Sequence, residues 1–156
     1  MPTLSRPDNS EPERFRSTRQ AHRDETAQDY VESIAQLIEE RNQARVGDLA
    51  KLMGVSHVTV TRIITRLAKE GLVTKEPRKP IFLTPIGQEM AHASQQRHQV
   101  VLAFLLAIGV NDRQAQIDAE GIEHHVSSET LAALSQITYQ LITQSPSIPP
   151  NSLSNE

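Results

Sequence analysis

The chain has 156 residues, 37% of them hydrophobic and 3% aromatic, which suits one lean domain or two small ones. It has no cysteine, which excludes disulfides, thiolate zinc sites and a cysteine nucleophile and leaves carboxylates and histidines as the strong side-chain metal ligands; no apolar run approaches the ~18 residues of a membrane span, so a soluble, cytoplasmic protein without membrane contact is expected. The net charge of −3 conceals an asymmetry, because residues 24–40 hold six acids and no Lys or Arg, residues 41–88 nine Lys/Arg against three acids, and residues 89–156 two Arg against seven acids.

Residues 1–13 are rich in Pro, Ser and charge and read as a disordered tail. Arg14, Arg16, Arg19 and Arg23 follow. They read as a frayed, solvated lead-in, with contact to DNA phosphates as the alternative. From 24 to about 40, Tyr30, Ile34, Leu37 and Ile38 form an apolar stripe at helical period. Leu49, Leu52 and Met53 predict a short helix that Gly54 can end in the left-handed conformation. Ser56 is a good N-cap for a helix from His57 to Glu70. Its apolar face is Val60, Ile63, Ile64 and Leu67, and its other face carries His57, Thr59, Thr61, Arg62, Thr65, Arg66 and Lys69.

Two helices joined by a short Gly-containing turn are a helix-turn-helix or an ordinary amphipathic hairpin. The polar face decides for the first, since it offers cations and hydroxyls with no acid before Glu70, the chemistry that meets phosphates and base edges. Ser56, His57, Thr59, Thr61, Arg62 and Arg66 are the candidate DNA contacts on this helix. The period then changes to two. Leu72–Glu76 and Ile81–Thr84 read as short strands around the turn Pro77-Arg78-Lys79-Pro80. This hairpin is the wing of a winged helix, with Arg78 and Lys79 at its tip as further candidate phosphate contacts.

Thr84-Pro85 marks the start of a long helix to about Ile108. Asn111 can cap a helix of roughly 111–126, and Ser127 or Ser128 a last helix to about 142. Residues 144–156 read as a disordered tail. On the helix expected at 111–126, Glu120, Glu123 and His124 stand at i, i+3 and i+4 and so share a face. Two carboxylates and an imidazole suit a divalent cation of moderate hardness such as manganese or iron(II). The plain alternative is a solvated helix face. A metallohydrolase is disfavoured: Glu120-x-x-Glu123-His124 has Glu where the inverted zinc motif needs His, and no Glu-x-x-His di-metal motif ends at either histidine. A metal-independent winged-helix regulator sensing a small ligand is the stronger rival.

With these elements together, the chain resembles the manganese-responsive transport regulators of the diphtheria-toxin-repressor family over most of residues 24–142. The resemblance is carried by Asp29-Tyr30-Val31-Glu32, by Arg97-His98, and above all by Asp118-Ala119-Glu120-Gly121-Ile122-Glu123-His124-His125-Val126-Ser127. It implies a mainly α fold, with a winged-helix DNA-binding domain at 24–88, an all-helical metal-binding and dimerisation domain at 89–143, and tails at 1–23 and 144–156. It implies Asp29, Glu32, His98, Glu120, Glu123 and His124 as metal ligands. Two Mn²⁺ per chain would be bridged by Glu32 and Glu120, with Fe²⁺ as an alternative ion. The iron-responsive branch carries Met and Cys where this chain has Asp29 and Glu120. The implied activity is that of a manganese-dependent transcriptional repressor of manganese transport genes, not an enzyme. It would work as a homodimer on a palindromic operator in double-stranded DNA.

Overall fold

A computed structural model describes residues 11–144, and their side chains from residue 16 onward. The expected tails at 1–10 and 145–156, and the Arg14 side chain, lie outside the described residues. The elements are α1 (Glu11–Arg41), α2 (Val46–Met53), α3 (His57–Lys69), β1 (Val73–Thr74), β2 (Phe82–Leu83), α4 (Pro85–Ala107), α5 (Asp112–Ile122) and α6 (Ser128–Gln144). Two compact units divide between Ala93 and Ser94, inside α4.

In the first unit, α1 buries Ala27, Tyr30, Val31, Ile34 and Leu37, spaced to make one helical face. They pack with Leu49 and Ala50 of α2, Val60, Ile64 and Leu67 of α3, and Leu72, Val73 and Ile81 of the wing. Gly54 closes α2 with φ 66° and ψ 31°, a left-handed C-cap in which glycine avoids the usual Cβ clash. The Ser56 hydroxyl accepts from the Thr59 amide at 3.1 Å and so caps α3. β1 and β2 pair antiparallel, Val73 with Leu83 and Thr74 with Phe82. Ile81 also bridges to Ala44, donating its amide to the Ala44 carbonyl at 2.8 Å.

Two expectations change here. Residues 11–23 are helical rather than a tail: after Pro12 the segment is built from Glu, Arg, Gln, Ala and other residues that a helix tolerates, and it continues the packed part of α1 without a break. The strands are also shorter than Leu72–Glu76 and Ile81–Thr84. Pro77 and Pro80 have no amide for a ladder, the Glu76 carbonyl is taken by the Lys79 amide at 3.2 Å, and Thr84 is committed to capping α4.

The junction between wing and α4 is tight. The Thr84 amide donates to the Leu72 carbonyl at 3.0 Å, and its hydroxyl donates to the Gly71 carbonyl at 2.6 Å while accepting from the Gly87 amide at 3.1 Å. Gly87 is needed there for want of room: a Cβ built on it would stand 2.0 Å from the Leu72 oxygen.

Tyr30 is buried in this core at 2% exposure, and its hydroxyl has no hydrogen-bond partner among the described residues. Burial, and secondarily the Asp29 carboxylate, push its phenol above the ordinary range. A raised folded-state pKa stabilises below the unfolded value, roughly pH 10, and that stabilisation is lost as the pH rises through the folded value. Tyr30→Phe is therefore expected to change stability by no more than about 1 kcal/mol at neutral pH. It should also flatten the loss of stability above about pH 10. Urea unfolding of both proteins across that range checks this; a variant several kcal/mol less stable at neutral pH would refute it.

In the second unit, Val101 and Leu105 of α4 pack with Ala115 and Ala119 of α5, and Leu131 and Leu134 of α6 lie against them. The Asn111 side chain caps α5 by accepting from the Gln114 amide at 3.0 Å, and Ser127 caps α6 by accepting from Thr130 at 3.1 Å. Ile108, Ile117, Ile137, Tyr139 and Ile142 remain exposed, a large apolar surface for one small helical unit. No helix among the described residues is long and apolar enough to cross a membrane.

Candidate metal centre and nucleic-acid interface

The second unit brings a histidine and two carboxylates together. Donor atoms of His98, Glu120 and Glu123 all lie within 4.8 Å of one another. His98 Nδ1 is 2.6 Å from Glu123 Oε2 and 3.7 Å from Glu120 Oε1. His124 Nε2 is 3.6 Å from the other Glu123 oxygen, Oε1. The helix α5 ends at Ile122, earlier than the expected 126, so His124 stands in the turn beyond it rather than on a helical face. The backbone of Glu123 is still right-handed, at φ −57° and ψ −33°, which keeps its side chain on the Glu120 side.

Burial separates the two carboxylates. The Glu120 side chain is 67% exposed, whereas that of Glu123 is 2% exposed. A buried carboxylate is costly unless cations or donors face it. Here it is flanked by two imidazoles, of which His124 is itself nearly buried. Nitrogen and oxygen donors with no sulfur are the set that fits a borderline-hard divalent ion.

Sequence reasoning gave Arg97 no role, although it stands beside His98. Its guanidinium donates twice to the Glu123 carbonyl, at 3.0 and 2.6 Å, and once to the Val126 carbonyl at 2.5 Å. These are orphan carbonyls past the C-terminus of α5, and a cation with a rigid fork is suited to them. Arg97 thus holds the turn that carries Glu123 and His124. The signal available in the sequence was an Arg in an otherwise sparsely basic region, next to a candidate ligand.

Asp29 and Glu32 lie one turn apart on α1, in the first unit, and both are half-buried. The other four candidate ligands belong to the second unit.

The outer face of α3 is also assembled in the first unit. His57, Val58, Thr61, Arg62, Thr65, Arg66 and Lys69 line an open trough on its surface. His57, Thr61 and Arg62 are exposed. Ser56 and Thr59 are partly spent on each other, their hydroxyls 3.0 Å apart at the N-cap. Arg66 is half-buried, 3.6 Å from Glu70 and donating to the Arg23 carbonyl at 3.3 Å. On the wing, Arg78 is exposed and takes a positive φ of 63°, while Lys79 is ion-paired with Glu76.

Comparison with known proteins agrees with this division. Residues 24–81 match the model of the iron dependent repressor N-terminal DNA binding domain, and residues 84–146 that of the iron dependent repressor metal binding and dimerisation domain. The transcriptional regulator MntR of Salmonella typhimurium is 48% identical over 128 residues, 82% of this chain and 82% of that protein. The chain belongs to the iron-dependent, or diphtheria-toxin, repressor family. The MntR regulator of Lysinibacillus sphaericus is 33% identical over 78% of this chain and 86% of its own. Among solved structures, a manganese-dependent transcriptional repressor in complex with manganese superposes with TM-score 0.66 at 30% identity, covering 72% of this chain and 52% of that one. The manganese regulator SloR gives 0.64 at 26%, covering 72% and 53%. The chain spans about half the length of these solved structures. Iron-dependent repressors are metal-dependent DNA-binding regulators and not enzymes, which removes the metallohydrolase reading of the triplet. The dimerisation domain matched at 84–146 contains the exposed Ile137, Tyr139 and Ile142.

Proposed function

We propose that this protein is a manganese-dependent transcriptional repressor of manganese transport genes, acting in the cytoplasm as a homodimer on a palindromic operator. The single observation that carries the metal reading is the His98–Glu120–Glu123 cluster, a sulfur-free donor set with one carboxylate buried. The MntR name of the relatives and the manganese complex of a structural neighbour support manganese as the ion. In this reading Asp29, Glu32, His98, Glu120, Glu123 and His124 hold the metal, at two Mn²⁺ per chain, with Fe²⁺ as an alternative activator. Two carboxylate residues in the DNA-binding unit and four ligands in the dimerisation unit make metal binding a property of both. That is the requirement for an ion to bias a DNA-binding equilibrium.

The test is direct. With Mn²⁺, specific operator binding should be at least tenfold tighter than with chelator, a coupling of about 1.4 kcal/mol. Equal affinities would sink the metal reading and favour a metal-independent regulator. Metal content per chain, measured on the same sample, decides the stoichiometry.

Ser56, His57, Thr59, Thr61, Arg62 and Arg66 are the proposed contacts on α3, and Arg78 and Lys79 those on the wing. Their roles should differ. Arg62 is exposed near the start of α3, where a recognition helix reaches base edges, so Arg62→Ala should cost about 1–3 kcal/mol for each guanine it contacts in the operator and less on random DNA. Arg78→Ala should weaken both duplexes alike, because a phosphate contact carries no sequence information. Identical effects of the two changes on operator and random DNA would overturn the assignment.

A further inference from the structure

We propose that the N-terminal extension of α1 is a second DNA-contacting element, in which Arg16 and Arg19 bind backbone phosphates flanking the base pairs faced by α3; this rests on the DNA-binding reading above. Among the described side chains of the extension, from residue 16 onward, none is buried. Residues 16–24 are all exposed, and the buried face of α1 begins only at Ala27. An exposed helical segment with no apolar face gains nothing from burial, yet this one carries Arg16, Arg19 and Arg23 with no acid among residues 16–23.

The three arginines are i, i+3 and i+7. At 100° per residue they fall within about 60° of one another, forming one stripe along the helix. The direction of that stripe is set by its last member. Arg23 Nη2 reaches Glu70 Oε1, at the C-cap of α3, at 3.4 Å. From the other side, Arg66 of α3 donates to the Arg23 carbonyl at 3.3 Å. The extension is thus tied to the end of the recognition helix, and the arginine stripe faces its side. Arg16 stands about 10 Å along the axis beyond Arg23. The basic donors of α3, Arg62, Arg66 and Lys69, are thereby continued by Arg19 and Arg16 on a neighbouring element. A helix seated in the major groove is flanked by phosphates, and a cationic stripe continuous with it has DNA backbone as its complementary partner.

The experiment uses the full chain with Mn²⁺, an operator selected from random duplexes by the unsubstituted protein, and a scrambled duplex, with affinity followed by anisotropy over a salt series. Each phosphate contact removed should lower the slope of log K against log salt by about 0.9, so R16A/R19A, which removes two contacts per chain and four per homodimer, should reduce it by about 3–4 and weaken both duplexes alike. R16K/R19K should retain the slope. Alanine is the best helix former, so the fold is preserved, and unchanged circular dichroism and Mn²⁺ affinity verify this. An unchanged slope in R16A/R19A with operator binding intact would overturn this inference alone. So would an equal loss in R16K/R19K, which would show a structural effect. Failure of the unsubstituted protein to bind any duplex with Mn²⁺ would overturn the DNA-binding reading and this inference with it.

Discussion

Glu123→Gln is expected to abolish the metal response, bringing operator affinity in Mn²⁺ to within about twofold of that in chelator, where the unsubstituted protein differs at least tenfold. The carboxylate is 2% exposed, lies 2.6 Å from His98 Nδ1, and has His124 3.6 Å from its second oxygen. Glutamine keeps the volume and one carbonyl oxygen but removes the charge that a divalent ion requires. The fold should survive, because the Arg97 bonds go to the Glu123 backbone carbonyl and not to its side chain. Glu120→Gln tests the exposed side of the same cluster: its side chain is 67% exposed, and as a bridging ligand of the proposed two-ion site its loss should lower the metal content per chain. Anisotropy titrations with and without Mn²⁺, beside metal content per chain, check both. A Glu123→Gln protein that still tightens tenfold on adding Mn²⁺ would remove this residue from the ligand set.

Gly87→Ala is expected to be the most damaging single methyl addition to the DNA-binding unit. The new carbon would meet the Leu72 carbonyl oxygen at 2.0 Å and its carbon at 3.0 Å, both backbone atoms, with the Leu83 side chain at 3.3 Å on another side. Backbone cannot swing aside as a flexible side chain does. Relief requires moving β1 away from the first turn of α4, which breaks the Thr84 bonds to Leu72 and Gly71. Overpacking of a tight site usually costs about 1–3 kcal/mol, and with these bonds also lost the expected cost is at the top of that range or above. Chemical denaturation of the two proteins measures it; a loss below about 0.5 kcal/mol would show that the wing can shift freely. Because Arg78 and Lys79 ride on the same hairpin, DNA affinity should fall with stability.

Much of this molecule is written in short-range patterns. The helix-turn-helix follows from the apolar spacing of Val60, Ile64 and Leu67, the Ser56 cap and the left-handed Gly54, each a matter of a few neighbouring residues. The Thr84, Asn111 and Ser127 caps are equally local, and so is the change to period two at the wing. The i, i+3 spacing of Glu120 and Glu123 placed both carboxylates on one side by the same logic. Local pattern did not reach the helical extension before residue 24, because an exposed polar helix has no periodicity to read and depends on the packed segment it continues. It also put the end of α5 four residues too late, since the turn at 123–125 is held by Arg97, more than 25 positions earlier in the chain. Nor could spacing say which carboxylate is buried. Glu120 and Glu123 have the same chemistry, and only the packing of α4 against α5 sets one beneath His98 and leaves the other in solvent. The sequence determined which residues are available to bind metal and DNA. Tertiary structure decided the dielectric each one sits in, because burial is a sum over neighbours distant along the chain.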